Sequence, residues 1–131
     1  MEDLIPQIAS DDNTLPDNSH LVLVTNLAVA AADNLGRPLY LARNYEEMFE
    51  AAGFVDLKMR YFRWPSNTWP DDEKDRDVGR LNCKNMGSDL EGLTRRLLAR
   101  GLGLEASEIT RYCAQAEEEI RDKNIHAYWL L

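Results

Sequence analysis

The sequence has only two cysteines, and it lacks both a long apolar run and an excess of basic residues. Cys83 and Cys113 cannot form a disulfide framework and do not have the spacing of a zinc site, so we expect two reduced thiols in a cytoplasmic protein. No apolar stretch reaches the roughly 18 residues that a membrane helix needs. The acidic start Met1-Glu2-Asp3 does not have the basic-then-apolar order of a signal peptide.

The charge of the chain is one-sided. Lysine and arginine together number 15 and aspartate and glutamate 23, which gives a formal net charge of −8. Binding to nucleic-acid phosphates needs a basic face, so a general nucleic-acid binder is excluded, and the same charge disfavours an anionic membrane surface. The length of 131 residues and the 44% content of hydrophobic residues predict one globular domain over residues 1–131.

The pattern of apolar residues predicts three strands and about five helices. Because strands alternate with helices along the chain, the fold class is α/β rather than a helix bundle. The clearest period of two has Val55, Leu57, Met59 and Tyr61 on one face of a strand. The predicted strands cover residues 2–10, 55–61 and 125–131, and the predicted helices cover about 19–35, 44–52, 72–100 in two pieces, and 106–123.

No predicted strand is followed by a glycine-rich turn that opens a helix, which is the pattern that lets a backbone approach a nucleotide-type cofactor. The one Gly-x-Gly, Gly101-Leu102-Gly103, follows a helix instead. We therefore interpret it as the end of that helix and not as a cofactor loop.

Several motifs resemble one enzyme family. The stretch Asn44–Asp56, N-Y-E-E-M-F-E-A-A-G-F-V-D, resembles the helix, Ala-Gly-Phe turn and sixth strand of class I S-adenosylmethionine-dependent methyltransferases. The further ordered set is similar to the fungal methyltransferases of secondary metabolism, a group that includes the methyltransferase-like regulator of the velvet complex. That set comprises the acidic turn Asp11-Asp12-Asn13-Thr14, Pro65, Trp69-Pro70, Gly79, Leu102-Gly103 and Ile125-His126-Ala127-Tyr128.

The resemblance covers nearly the whole chain but only part of the family fold. It implies a partial Rossmann-like methyltransferase sheet with the last three strands in the order 5-7-6, the last strand being antiparallel. In the family, the cofactor site lies in the first half of the fold, and this chain begins at what looks like strand five. The resemblance thus implies the C-terminal half of such an enzyme, trimmed at both ends, with no S-adenosylmethionine site of its own.

Three aromatic residues are candidates for the wall of a substrate pocket. Trp64 and Trp69 flank the proline turn after the predicted sixth strand, which lies beside the substrate pocket in the family, and Tyr61 precedes them. Such rings would hold a flat or apolar small-molecule acceptor by burying its area and by stacking. The alternative is that the tryptophan rings only cover the edge of the sheet.

The two histidines, His126 and His20, are candidates for a general base, since imidazole titrates close to neutral pH. A structural, hydrogen-bonded histidine is the alternative for His126, and a solvated first-turn residue is the alternative for His20. The adjacent Asp11 and Asp12 are expected in a solvated loop rather than as a paired-carboxylate site. No residue set with the spacing of a metal site is present.

Three classes of function remain open at this point. The first is the acceptor-side half of a methyl-transfer site, inactive alone. The second is a non-catalytic interaction module or pseudoenzyme, and the third is a cofactor-independent cyclase or isomerase that reuses the substrate cavity. A strand edge and helix surfaces without their family neighbours predict a homo-oligomer or a partner chain that carries the cofactor lobe.

Overall fold

The computed structural model describes residues 3–131, so Glu2, the first residue of the predicted first strand, lies outside the described residues. Within them the chain is α/β, with three strands and five α-helices, as predicted. The strands are β1 (Ile5–Ala9), β2 (Arg63–Pro65) and β3 (Tyr128–Leu130). The helices are α1 (His20–Asn34), α2 (Tyr45–Ala51), α3 (Glu73–Met86), α4 (Leu90–Leu102) and α5 (Ala106–Arg121), and a 3₁₀ turn, Leu41–Asn44, precedes α2.

The three strands form one sheet in the order β1-β3-β2. The last strand lies in the middle and is antiparallel to both neighbours. The predicted order 5-7-6 with an antiparallel last strand is thereby confirmed. Since β1 and β2 both run against β3, they are parallel to each other.

The register of the sheet brings three loops together at one end of the strands. Tyr128, at the start of β3, is paired with Ala9 at the end of β1 and with Pro65 at the end of β2. The segments that follow β1 and β2 and the segment that precedes β3 therefore meet. This end of the sheet is formed by the carboxyl ends of the two parallel strands, where open α/β sheets bind their ligands.

Strand β1 is an irregular edge strand. Ala9 lies four positions after Ile5, whereas their partners on β3 are only two positions apart, so β1 carries a bulge. Pro6 lies within the bulge, where its missing N–H breaks no regular ladder. In the sheet order β1 is an edge strand, where a proline is tolerated.

The core lies between one face of the sheet and three helices. Helices α1, α4 and α5 pack on each other and against the residues before and within β3. Ile125, Ala127 and Trp129 point into this core, so the intervening His126 and Tyr128 lie on the opposite face, as the alternation predicts. The buried side chains of the core are Leu21, Val24, Ala31, Leu90, Leu98, Ile109, Cys113, Ala116, Ile120, Ile125, Ala127 and Trp129.

The strand predicted over residues 55–61 is wrong. Residues 54–62 form no strand, and Val55 and Tyr61 are 81% and 60% exposed. The described ladder between β2 and β3 ends with mutual backbone hydrogen bonds between Phe62 and Leu131. The alternating segment lies beyond that pair, so no described strand runs beside it and its apolar face is not buried.

Two features are absent from the part of the chain that the structure describes. None of its helices has the length and apolar character needed to cross a lipid bilayer. No group of three or more His, Cys, Asp or Glu side chains among residues 3–131 is arranged to hold a metal ion.

Candidate functional site

A polar cluster lies at the end of the sheet where the three loops meet. Its side chains come from the turn after β1, from the turn after β2 and from the residues at the start of β3. None of these segments is close to the others in sequence, since the first and last are separated by more than 100 residues. The sheet register alone brings them together.

The centre of the cluster is a pair formed by Asp12 and His126. Asp12 Oδ2 lies 2.5 Å from His126 Nδ1. The other oxygen, Oδ1, accepts hydrogen bonds from the Thr14 hydroxyl at 2.8 Å, the Thr14 amide at 3.2 Å and the Ser10 hydroxyl at 3.0 Å. The donors of Thr14, and after them His126, hold the pKa of the Asp12 carboxyl well below its ordinary value of 3.8. Asp12 is therefore an ionised acceptor at any pH near neutral.

Trp69 fixes the other side of the His126 ring. The two rings stack with their centroids 4.9 Å apart and their planes 20° from parallel. The Trp69 indole Nε1 donates to the Ala127 carbonyl at 2.9 Å, and the His126 amide donates to Thr14 Oγ1 at 2.8 Å. The imidazole is thus held by its backbone, by the carboxylate and by a stacked ring, while its side chain remains 35% exposed.

A second group of polar contacts lies beside the first. Asp11 accepts a hydrogen bond from the Tyr128 hydroxyl at 2.8 Å and forms an ion pair with Arg63, also at 2.8 Å. The Arg63 guanidinium lies over the Tyr128 ring, 4.9 Å from its centroid. The hydrogen bond to Asp11, together with burial, raises the pKa of Tyr128 above its ordinary value. Asp11 and Asp12, although adjacent, thus hold separate partners.

The structure brings together two of the five candidates named from the sequence, His126 and Trp69. Trp64 lies elsewhere, in a cavity of about 380 Å³ between β2 and α3. Tyr61 lines a cavity of about 340 Å³ with Ile5 and Leu131, at the opposite end of the strands. The predicted wall of three aromatic residues is therefore not assembled: only Trp69 reaches the cluster.

His20 lies in a different group of contacts, away from the cluster. It is the first residue of α1, and its Nδ1 lies 3.7 Å from Glu119 Oε1. Its amide donates to the same carboxylate at 2.8 Å, and its ring is 6.4 Å from that of Tyr112. Among residues 3–131, no hydrogen bond or ring contact joins His20 to His126.

The sequence reasoning missed Asp11, Asp12 and Thr14 as members of the site. Both aspartates are exposed, as expected for a loop, but each holds a side chain near the start of β3. The turn composition D-D-N-T was a usable signal, because short polar side chains in such turns hydrogen-bond to one another and to the local backbone. Their partners more than 100 residues away leave no local trace in the sequence.

Replacement of Asp12 by asparagine should lower the free energy of unfolding at neutral pH. A carboxyl whose pKa is depressed by folding contributes stability that is fully present above its ordinary value of 3.8 and is lost as the pH falls towards the folded-state value. The difference between wild type and D12N should hence shrink below about pH 4. Urea unfolding between pH 3 and pH 7 measures it, with the exposed Asp17→Asn as the matched control. A difference that grows towards low pH would contradict the assignment.

Chemically, the cluster is suited to accept a proton. An imidazole whose Nδ1 is held by a carboxylate presents its other nitrogen as a base, which is the logic of hydrolase triads. The Trp69 ring, stacked on the imidazole, fixes the plane in which that nitrogen lies. No metal is needed for such a step.

Comparisons with known proteins identify relatives over almost the whole chain. The probable methyltransferase tdiE of Emericella nidulans is 32% identical over 129 residues, which are 98% of this chain and 41% of that protein. The secondary metabolism regulator LAE1 of Cochliobolus heterostrophus is 31% identical over 90% of this chain and 39% of its own length. The protein-methionine methyltransferase laeA of Chaetomium globosum is 27% identical over 91% of this chain and 38% of its own.

The matched region is a similar fraction of each of these relatives. The chain spans about two fifths of the length of the curated relatives that it matches. No protein-family profile matches it, and no solved structure matches it with significance.

Proposed function

We propose that this chain, a homologue of the fungal methyltransferases of secondary metabolism, forms the acceptor side of a methyl-transfer site. The observation that carries the proposal is the cluster at the carboxyl ends of β1 and β2, where Asp12, Trp69 and His126 meet. Methyl transfer depends mainly on aligning the acceptor atom with the donor, so a rigid acceptor wall is a real contribution. The relative from Chaetomium globosum is named for a methionine acceptor, whose sulfur is a thioether.

The residues described here do not fit S-adenosylmethionine, the donor that the family resemblance implies. A backbone cradle for such a cofactor needs glycine just after a strand. None of the seven glycines follows β1, β2 or β3. A Cβ on Gly101 would meet the backbone of Ala31 at 2.4 Å, and Gly103 ends α4 in the left-handed region at φ +68°, so both serve helix packing and capping. The donor is therefore held outside residues 3–131.

Isothermal titration of the chain with S-adenosylmethionine should show no stoichiometric binding. The expected result follows from the missing cradle, since no glycine directly follows β1, β2 or β3. A tight one-to-one complex would overturn the proposal that the donor is held elsewhere.

The acceptor side is tested with 4-nitrophenol as a flat probe. On titration, the indole N–H resonance of Trp69 should shift, while those of Trp64 and Trp129 should not, because only Trp69 reaches the cluster. Trp69→Leu should abolish binding, and Trp64→Leu is the matched control that should retain it. Binding that is unchanged in Trp69→Leu contradicts the proposed wall.

A second candidate function, a non-catalytic interaction module that self-associates, is favoured by one observation. Helix α2 has no buried residue, and the segment that follows it exposes large apolar side chains. Such patches mark interaction surfaces in soluble proteins. The exposed members are Met48 (52%), Phe54 (58%), Val55 (81%), Met59 (38%), Tyr61 (60%) and Phe62 (55%).

Sedimentation velocity should accordingly show a homo-oligomer, and Phe54→Ser with Val55→Ser should shift it to the monomer. The two side chains are among the most exposed of the patch, so their loss removes interface area without opening the core. Leu93→Ser, on α4, is the control, since Leu93 is also 58% exposed but lies outside the patch. A wild-type chain that sediments as a single monomer rules out self-association.

A further inference from the structure

We infer that His126 is the proton acceptor of this site, that Asp12 is its positioning residue, and that the methyl acceptor is a hydroxyl compound of the phenol or enol class. The inference rests on the proposed function and adds to it the chemistry of the acceptor. It starts from the tautomer that the Asp12–His126 contact imposes.

An ionised carboxylate can only accept hydrogen bonds. Since the donors of Thr14 keep Asp12 ionised, the proton of the 2.5 Å contact must lie on His126 Nδ1, which donates to Asp12 Oδ2. In the neutral imidazole the lone pair then belongs to Nε2. Asp12 therefore selects the tautomer in which the outer nitrogen is the base.

The charged neighbours of the pair do not disturb this arrangement. Asp11 is occupied by Arg63 and by the Tyr128 hydroxyl. The ion pair keeps the Arg63 guanidinium on the side of Asp11 and Tyr128, rather than on Asp12. The carboxylate of Asp12 is thus left to compensate the positive charge that His126 gains on accepting a proton.

The step that this geometry supports is a proton transfer. The O–H bond of the acceptor breaks, its electron pair stays on the oxygen, and the proton binds to the lone pair of His126 Nε2. The product is an oxygen nucleophile beside an imidazolium that is paired with Asp12. A thioether sulfur has no proton to lose, so it would gain nothing from this base. The pair therefore argues for a hydroxyl acceptor over a thioether acceptor.

The chain contains a built-in control for this chemistry. His20 also lies beside a carboxylate, but its Nδ1 is 3.7 Å from Glu119, which is too far for a hydrogen bond. Glu119 already accepts hydrogen bonds from the Ser19 hydroxyl and from the His20 and Leu21 amides. The two histidines thus differ in the feature that the inference depends on.

Histidine side-chain ¹⁵N NMR tests the tautomer. His126 should show predominantly protonated Nδ1 and unprotonated Nε2, while His20 should show no such bias. Asp12→Asn should remove the bias of His126 and leave His20 unchanged, and Asp12→Glu should restore part of it. An unbiased His126 in the wild-type chain, or a bias that persists in folded Asp12→Asn, overturns the positioning role.

A pair of matched probes tests the acceptor class. 4-Nitrophenol bound to the wild-type chain should show about a tenfold larger ratio of phenolate to phenol than free probe at the same pH, equivalent to one unit of its apparent pKa. His126→Gln should bind the probe without that gain. 4-Nitrothioanisole, a methyl thioether of similar shape, reports binding alone.

The outcomes separate the two proposals. Binding of both probes without a phenolate gain overturns the base role of His126 but leaves the acceptor wall in place. Binding of neither probe removes the acceptor wall and the inference with it. A phenolate gain that survives in His126→Gln assigns the proton to another group and also overturns the inference.

Discussion

Replacement of Gly79 by alanine should destabilise the folded chain by about 3 kcal/mol. Gly79 lies in the middle of α3, which packs there against the turn that follows β2. A Cβ at this position would lie 1.9 Å from the Asn67 carbonyl oxygen and 2.7 Å from its carbonyl carbon. Both atoms belong to the backbone, so the helix or the turn must move. In a close-packed interior that strain exceeds the roughly 1 kcal/mol that alanine gains over glycine as a helix former.

The displaced turn also holds the end of α5 and the candidate site. The buried side-chain amide of Asn67 donates to the Ile120 carbonyl at 2.9 Å and to the Asp122 carbonyl at 3.0 Å. It thus satisfies acceptors that the end of a helix leaves open. Trp69 follows two residues later and stacks on His126. We therefore expect Gly79→Ala to weaken both α5 and the stacking at the site.

Urea unfolding of Gly79→Ala measures the loss, and the Trp69 indole N–H resonance reports the change at the site. Gly36→Ala is the control, because nothing lies within 4 Å of its Cβ and only its positive φ of +69° opposes alanine. That strain costs about 1–2 kcal/mol. If Gly79→Ala is less destabilising than Gly36→Ala, the close approach of α3 and the turn is not what restricts this position.

The parts of the fold that could be predicted from sequence are those with a strong local period. Alternation at the end of the chain separates Ile125 and Ala127, which lie in the core, from His126 on the other face. The helical spacing of α1 and its N-cap residue Ser19 can also be recognised in the sequence. In the structure, the Ser19 side chain accepts a hydrogen bond from the Val22 amide. The strand order came from the family resemblance and not from these periods.

The same kind of period gave a wrong strand over residues 55–61. Alternation states which face of a strand would be buried, but a strand also needs a neighbour to which its backbone can bond. In this fold the pairing of β2 ends at Phe62 with Leu131, so the best alternating segment of the chain has no described neighbour. Local pattern cannot report the presence of that neighbour.

The candidate site shows the same limit in its side chains. His126 and Trp69 were named because imidazole and indole are chemically distinctive, whereas Asp12 looked like any other carboxylate of an acidic chain. What distinguishes Asp12 is the register that sets the end of β1 beside the start of β3. Sequence chemistry found the base and the stacking ring, and only the sheet could find their partner.

The acidic face of α5 gives the other large expected effect. Glu117 accepts a hydrogen bond from the Leu90 amide at 2.8 Å, and Glu119 accepts from the backbone amides of His20 and Leu21. Each carboxylate therefore caps the N-terminus of another helix, Glu117 that of α4 and Glu119 that of α1. Negative charge at these positions also complements the positive end of the helix dipole.

Replacement of Glu119 by glutamine should lower the free energy of unfolding by about 2 kcal/mol, the range of charge-assisted hydrogen bonds. Oε2 of Glu119 accepts from the Ser19 hydroxyl at 2.5 Å and from the Leu21 amide at 3.1 Å, and Oε1 accepts from the His20 amide at 2.8 Å. An amide nitrogen in place of either oxygen would face donors, and at least one backbone N–H of the first turn of α1 would lose its acceptor. The side chain is only 16% exposed, so water cannot fully replace what is lost.

Chemical denaturation of Glu119→Gln and of Glu118→Gln side by side measures this effect. Glu118 is the neighbouring, exposed residue of the same helix, and its replacement should change the free energy of unfolding by less than about 0.5 kcal/mol. Equal losses in the two variants would mean that the net charge of α5 matters and the cap does not. A loss confined to Glu119→Gln, with faster amide hydrogen exchange in the first turn of α1, would show that this carboxylate joins α5 to the start of α1.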